Sequence, residues 1–124
     1  MRYMKRVTRY ITHVTESGQE VLRERSSAVF GNRYVAEVVT AIADETLNAD
    51  SHVTVRMVAS RTGLTDSLVK LVVQRLVAAE LLRRLPQGRP RAPLYHEVQR
   101  SGGRWDALVE LCVRLGHEPA EATQ

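Results

Sequence analysis

A small residue, Ala59, followed four positions later by Gly63, is the feature that most restricts what this chain can fold into. The apolar periodicity on either side predicts one helix over about 55–62 and a second helix that runs to about Ala79. Two helices that cross closely need a small side chain at the crossing, and a tight turn between them favours the positive φ that glycine adopts readily. The spacing therefore indicates a helix-turn-helix, with Leu64 filling the space between the helices.

The second of these helices has a suitable start and an apolar side that can return to the first helix. Thr65 or Asp66 can cap it, because a short polar side chain accepts hydrogen bonds from the first free amides. The packing positions of the pair carry apolar residues in register: Val58, Leu64, Val69, Val72 and Leu76. A small residue followed by a glycine is common by chance, but chance does not explain the whole set.

A turn-rich, basic segment follows the second helix. Its centre is PQGRPR, residues 86–91, and two short apolar runs suited to strands flank it: Leu81, Leu82 and Leu85 before it, and Leu94, Tyr95 and Val98 after it. We therefore predict a β-hairpin with a charged tip. Further upstream, the spacing of apolar residues predicts a strong helix over 33–47, and 16–29 is a second helix or a continuation of an N-terminal one. Val53 and Val55 are suited to a very short strand.

Together these segments resemble the winged helix-turn-helix transcription regulators, in particular the ArsR- and MarR-like repressors of bacteria. The resemblance is carried by VRMVASRTGLTDSLVKLVVQRLVAAELLRRL and GRPRAPLYHEV and covers about 33–115. It implies a mainly α (α+β) fold, a winged helix-turn-helix with a small β-hairpin wing and extra N- and C-terminal helices. It also implies a homodimeric, sequence-specific regulator that binds double-stranded DNA and occupies a promoter. The helix at about 65–79 would lie in the major groove and the wing at about 86–93 on flanking backbone or minor groove.

The resemblance assigns DNA-binding roles to nine residues: Arg56, Arg61, Thr65, Ser67, Lys70, Leu71, Gln74, Arg89 and Arg91. Gln74 is suited to reading adenine, and Ser67 and Lys70 to phosphate or guanine. The two arginines of the first helix are candidate phosphate contacts, and the last two arginines belong to the wing. For Ser67, Lys70 and Gln74 the alternative is an ordinary solvated helix face.

The second helix departs from the usual pattern because LVKLVV is apolar nearly all round. Leu71 either contacts a thymine methyl group or belongs to a surface that binds protein. Asp66 opposes phosphate binding, although its place at a helix start suits it to capping. A second reading therefore stays open, in which the chain is a winged-helix protein–protein interaction module that docks through its apolar helix.

The distribution of charge favours a polyanionic partner. Residues 51–100 carry nine basic and three acidic side chains, whereas the whole chain has a net charge of +4. Sixteen of the 18 basic residues are arginine, whose planar fork matches phosphate and guanine edges. A genome rich in G and C, which favours arginine codons, explains the same bias without any nucleic-acid partner.

Two further apolar stripes suggest a homodimer. One lies in the N-terminal segment, at Tyr3, Met4, Val7, Tyr10, Ile11 and Val14, and the other near the C-terminus, at Trp105, Leu108, Leu111, Cys112 and Leu115. We expect the central core to close without them, and exposed apolar stripes usually mark association. The predicted domain organisation is an N-terminal dimerisation extension over 1–30, a winged-helix domain over 31–115 and a flexible tail over 116–124. The basic N-terminal helix is also compatible with an anionic membrane surface, but dimer packing fits its modest hydrophobicity better.

A metal site is the next possibility that the resemblance raises. Glu110 to Val113 superficially matches the cysteine box of the ArsR family, but Arg114 follows where a second thiolate is needed, and one thiolate cannot complete a soft-metal site. Asp106 and Glu110 are one helical turn apart with His117 nearby, which leaves a zinc site at a dimer interface conceivable. The alternative is that Cys112 is a small buried hydrophobe and the acids are solvated. We expect no metal and no cofactor.

The remaining observations argue against membrane proteins, disulfide-bonded proteins and enzymes. A chain of 124 residues is the size of one domain, and no stretch of about 18 apolar residues occurs, so we expect no membrane association. A single cysteine forms no internal disulfide, which favours the cytoplasm. No glycine-rich phosphate loop, nucleophile elbow or zinc-histidine motif is present, and His13, His52 and His96 show no shared spacing, so we expect no enzyme. The sequence does not reveal an operator or a small-molecule effector.

Overall fold

The structure, a computed structural model, describes residues 16–47 and 52–117. These residues form five α-helices: α1 (Glu16–Phe30), α2 (Val35–Glu45), α3 (Val55–Thr62), α4 (Asp66–Ala78) and α5 (Arg104–Leu115). A small sheet is made of β1 (His52–Val53), β2 (Leu82–Arg84) and β3 (His96–Val98), and a 3-10 turn at Ser101–Gly103 precedes α5. The predicted N-terminal stripe from Tyr3 to Val14 and most of the predicted tail lie outside the described residues.

Helix α2 is the centre of the core. Every residue from Val35 to Asp44 is buried, and α1, α3, α4 and α5 all pack against this helix. It is shorter than the predicted 33–47. The helix begins at Val35 and not at residue 33, because the preceding residues form a separate turn. In that turn the side chain of Asn32 accepts a hydrogen bond from the amide of Tyr34 at 2.7 Å.

Polar side chains attach α1 to α2. The Arg23 guanidinium donates to the carboxylate of Glu37 at 2.6 Å, and the Ser26 hydroxyl donates to the carbonyl of Asn32 at 2.7 Å. The same hydroxyl accepts from the amide of Ala36 at 3.1 Å, so it is satisfied although Ser26 is fully buried. Helix α1 matches the predicted second helix and ends where Gly31 adopts a φ of +72°.

The helix-turn-helix is confirmed in detail. Helix α3 ends at Gly63, whose φ is +78° and whose amide donates to the carbonyl of Ala59 at 2.8 Å. Thr65, and not Asp66, caps α4, because its hydroxyl accepts from the amide of Leu68 at 3.3 Å. Leu64 is partly buried against the core, as expected.

The strands are shorter than predicted. Val55 is not part of a strand, because Thr54 has an extended conformation and its hydroxyl caps α3, which starts at Val55. Leu81 is not part of one either, since its amide donates to the carbonyl of Leu76 in the turn that closes α4. The sheet is antiparallel in the order β1–β3–β2, with Leu82 opposite Val98 and Arg84 opposite His96.

The expectation that the core closes without the C-terminal stripe is wrong. Trp105 is 1% exposed and Cys112 is 1% exposed, and both belong to the core that α5 forms with α2. Trp105 is therefore enclosed by its own chain and is not available to a partner. Leu108 and Leu115 are half-buried against the same core, whereas Leu111 is 41% exposed.

Among the residues that the structure describes, no helix has the length and apolar character needed to cross a membrane.

Candidate functional site

Four of the predicted DNA-binding residues lie together on the outer side of α4. Ser67, Lys70, Leu71 and Gln74 are all exposed, and at 100° per residue they fall on one face of the helix. We call this face the outer strip. The opposite face is buried in the core: Val69, Val72, Val73 and Leu76. The amphipathic pattern thus fixes the direction in which the outer strip points.

The side chains of the outer strip have no hydrogen-bond or ion-pair partners in the part of the chain that the structure describes. Within residues 16–47 and 52–117, no hydrogen bond or ion pair engages Ser67, Lys70 or Gln74. Leu71 is 55% exposed, the largest exposed fraction among the large apolar side chains described. The strip therefore presents one hydroxyl, one ammonium group, one amide and one isobutyl group to an external molecule.

The first turn of α4 is engaged within the protein. The hydroxyl of Thr65 serves as the helix cap described above, so a contact of this hydroxyl with DNA would compete with its hydrogen bond to the amide of Leu68. Asp66 forms an ion pair with Arg56 of α3 at 3.1 Å, and both side chains are largely exposed. This pair leaves Arg56 in reach of solvent, where an exposed ion pair contributes little to stability.

Arg61 is held more firmly than Arg56. Its guanidinium lies 2.9 Å from a carboxylate oxygen of Asp44 and 2.7 Å from one of Glu45, and its side chain is only 30% exposed. Asp44 itself is almost completely buried. Arg61 therefore joins α3 to the end of α2, a structural role that the sequence did not suggest.

The wing consists of β2, β3 and the connection over 85–95. Three hydrogen bonds hold the connection: Leu85 amide to Tyr95 carbonyl at 2.9 Å, Ala92 amide to Arg89 carbonyl at 3.0 Å, and Gln87 side chain to Ala92 carbonyl at 2.6 Å. The side chains of Arg89 and Arg91 are exposed, and neither has an ion-pair partner within the described part of the chain. The structure thus leaves both predicted wing residues open to solvent.

An open groove separates the base of the wing from α3 and α4. It is lined by Thr54, Arg56, Met57, Ser67, Lys70, Leu94, Tyr95 and His96, among others. Tyr95 is 40% exposed here. His96 is 5% exposed, and its buried Nδ1 atom has no hydrogen-bond partner among the described residues. Burial, and then the nearby positive charge of Arg84, lower the pKa of His96 below its usual value.

Sequence reasoning gave no binding role to Arg84, Tyr95 or His96, which the structure places at or beside this groove. Arg84 is two residues after the buried Leu82 and lies opposite His96, so it projects on the inner face of the sheet. Alternate residues of a strand share a face, so an arginine two positions after the apolar Leu82 was the sequence signal that could have identified Arg84. On the outer face, Arg83 is paired with Glu97, and this hydrogen bond lowers the pKa of Glu97.

The C-terminal residues weighed for metal binding do not assemble. Glu110 pairs with Arg114 one turn along α5, and Asp106 lies 3.9 Å from Arg100. Burial raises the pKa of the Cys112 thiol to about 12, which removes its thiolate at neutral pH. Among the described residues, no group of three or more histidines, cysteines or acids is placed to hold a metal ion.

Comparison with known proteins gives a result for the fold alone. No protein-family model and no curated protein matches the sequence. Among solved structures, apo wild-type MarR from E. coli superposes with a TM-score of 0.60 at 18% identity, over 94% of this chain and 80% of that one. The chain has a MarR-like winged-helix fold. The predicted fold class is therefore confirmed.

Two further MarR structures from E. coli agree with this assignment. A cysteine-to-serine mutant of MarR complexed with operator DNA has a TM-score of 0.55 at 19% identity, over 88% of this chain and 72% of that one. The oxidized form has a TM-score of 0.58 at 17% identity, over 94% and 77% of the two chains. In this MarR-like fold α4 is the second helix of the helix-turn-helix and 82–98 forms the wing.

Proposed function

We propose that this chain is a bacterial, cytoplasmic transcription regulator that binds double-stranded DNA sequence-specifically as a homodimer. The observation that carries the proposal is the outer strip of α4, whose side chains are exposed and have no partner among the described residues, on a helix whose other face is buried in the core. The MarR-like fold, known also in a complex of MarR with operator DNA, supports it. In this proposal the chain acts by occupying a promoter and catalyses no reaction.

The proposed docking places α4 in the major groove. The groove of B-DNA is about 12 Å wide and admits a single helix. A helix of 13 residues is about 20 Å long, enough to follow several base pairs. Gln74 would read an adenine, while Ser67 and Lys70 would contact phosphate or guanine. Arg56 would exchange its exposed ion pair with Asp66 for a phosphate.

The wing would bind flanking DNA through its arginines. Arg89 and Arg91 are exposed cations without ion-pair partners in the described part of the chain, so a phosphate contact there would displace no such pair. Arg84, at the base of the wing, adds a third exposed cation. Arg61 is a weaker candidate, because moving it to a phosphate would leave the buried carboxylate of Asp44 without this partner.

The proposed dimer uses the N-terminal extension and the outer side of α5. Leu111 is the exposed apolar residue of that side, and Leu108 and Leu115 flank it. Sedimentation of the full chain, of a chain that lacks residues 1–15 and of a Leu111→Glu variant tests this. A monomeric full-length protein would contradict the dimer, and an unchanged dimer after truncation would remove the N-terminal segment from the interface.

Selection of bound duplexes from a random pool tests the proposed function. We expect a short sequence repeated with two-fold symmetry, since a symmetric dimer binds two half-sites. Binding to the selected duplex should weaken steeply as salt rises, because each phosphate contact releases counterions. A protein that enriches no sequence and shows no salt-dependent binding is not a DNA-binding regulator.

One observation favours a second candidate, a protein–protein interaction module. It is the exposure of Leu71 at the centre of the outer strip. In that case replacement of Leu71 would abolish capture of a protein partner, and duplex DNA would bind weakly and without sequence preference. The selection experiment separates the two functions directly.

A further inference from the structure

The position of Leu71 needs an explanation. It is 55% exposed, yet it occupies the middle of the outer strip, with Ser67 one turn before it and Gln74 one turn after it. The apolar positions that stabilise α4 lie on the opposite face, so Leu71 contributes nothing to the core. Exposing its apolar surface to water is unfavourable in free energy unless an external group covers it.

The neighbours of Leu71 favour a small apolar target. On the outer strip it is the single large apolar side chain, and the other three can donate or accept hydrogen bonds. The other exposed large apolar side chains described lie on α1, on α5 and at the base of the wing, namely Val21, Val29, Leu111 and Tyr95. A protein partner would gain more from a broad apolar patch. Here the nearest apolar neighbour of Leu71 on α4, Leu68, is half-buried, and the other three residues of the outer strip are polar.

The edge of a thymine in the major groove has this pattern. It carries one methyl group beside a hydrogen-bond acceptor, and the neighbouring base edges carry further donors and acceptors. The positive charge of Lys70, next to Leu71 on the strip, and of Arg56 across the groove suits the phosphates on either side. The chemistry of the strip therefore matches the wall of a thymine-containing major groove.

We propose that Leu71 is a specificity-determining residue that packs on the 5-methyl group of a thymine in each half-site. The inference rests on the proposed function and names the base that the helix reads beside Gln74. Side chains one turn apart on a helix are about 5–6 Å apart, and successive base pairs are spaced by about 3.4 Å. The thymine should therefore lie within about two base pairs of the position that Gln74 reads.

Uracil substitution tests this directly, because deoxyuridine differs from thymidine only by the methyl group. Each thymine of the selected duplex is replaced in turn, and the affinity of the full-length protein is measured. We expect one position per half-site at which uracil weakens binding about fourfold, the size expected for one methyl-sized group. In the Leu71→Ala variant the penalty at this position should fall to nearly nothing.

Gln74→Ala is the matched control, since it removes a neighbouring side chain from the same exposed strip. It should keep the uracil penalty and relax the sequence preference within two base pairs of it. Circular dichroism confirms that both variants keep the fold, which is expected because both residues are exposed. A penalty at the same thymine in Leu71→Ala overturns the proposal, as does a selected duplex in which no thymine shows a penalty. Failure to select any duplex contradicts the proposed function itself, so the two failures are distinguishable.

Discussion

Helix α4 and the wing present their side chains in two different ways. Four buried residues fix α4 from one side, Thr65 caps its start, and Arg75 donates to the carbonyl of Phe30 at 2.7 Å near its end. The wing tip has no buried residue between Leu85 and Tyr95, and three hydrogen bonds hold it. The directions of the α4 side chains are therefore set by the whole core, whereas those of the wing arginines are set locally.

We expect this difference to give the two regions different roles in the proposed DNA binding. Reading a base edge requires a side chain held in a fixed direction, because the donor and acceptor pattern changes within one base pair. Binding a phosphate requires only a cation in the right neighbourhood, because phosphates flank every base. We therefore expect the outer strip to provide sequence preference and the wing to provide sequence-independent affinity, if the proposed function holds.

The largest effect is expected from loosening the attachment of α4. Leu76→Ala removes a side chain that is 5% exposed and should lower the free energy of unfolding by about 2–5 kcal/mol. Leu71→Ala is the same change on the exposed face of the same helix and should alter it by about 0.5 kcal/mol or less. Urea unfolding of both variants measures the difference. Equal losses would show that α4 is not anchored through its inner face.

Gln74→Ala should affect recognition and leave stability unchanged. We expect a loss of about 1–3 kcal/mol in binding to the selected duplex and little change on random DNA, because base contacts exist only on the preferred sequence. Gln87→Ala is the matched change in the wing. It should weaken the two duplexes to a similar extent, since Gln87 supports the wing connection. Titration of both variants on both duplexes tests the assignment, which fails if Gln74→Ala weakens random DNA as strongly as the selected site.

Replacing Arg89 and Arg91 together with alanine should weaken binding to selected and random duplexes alike. The slope of log affinity against log salt should become shallower by about one for each lost phosphate contact. The control is Arg33→Ala, which removes a positive charge from the connection between α1 and α2, outside the wing, the outer strip and α5. Titration at several salt concentrations gives the slopes. If the wing variant keeps its full slope, the wing does not touch the DNA.

The smallest effect is expected on the pH dependence of stability, at His96, which lines the groove between the wing and α4. Burial and Arg84 lower the pKa of His96 from 6.5, so the unfolded chain binds a proton there more readily than the folded one. The stability that neutral His96 contributes is therefore fully present above about pH 6.5 and is lost as the pH falls toward the lower pKa of the folded state.

Urea unfolding at pH values of about 7.5, 6.5 and 5.5, on both sides of the ordinary histidine pKa, measures this loss. His96→Gln should reduce the decline in stability below about pH 6.5. Arg84→Gln should reduce it less, because burial is the larger cause of the shift in the pKa of His96. A decline of unchanged size in His96→Gln would assign the pH dependence to other groups.

Much of the candidate site could be predicted from the sequence. The resemblance to winged helix-turn-helix regulators predicted that Ser67, Lys70, Leu71 and Gln74 face outward from α4, and in the structure all four are exposed on one face of that helix. What the sequence could not show is which arginines are already engaged. Arg56 and Arg61 look alike as sequence, but one carries an exposed ion pair and the other lies between two carboxylates of α2. Their DNA-binding roles stay predictions.

The helix-turn-helix could be predicted from the sequence, because the signals that specify it act over a few neighbouring residues. The hydroxyls of Thr54 and Thr65 reach amides three positions away, and the φ of Gly63 depends on its lack of a side chain. Such hydrogen bonds and steric limits are the same wherever the segment lies in the fold.

Which apolar stripe belongs to the core, and which side chains meet across the fold, depends on the tertiary structure. Trp105 is as apolar in an interface as in a core, and it is buried because α5 packs on α2, a helix from a distant part of the chain. Arg84 faces His96 because the register of β2 and β3 places them opposite each other. These outcomes depend on contacts between distant segments, whose geometry no local pattern of residues specifies.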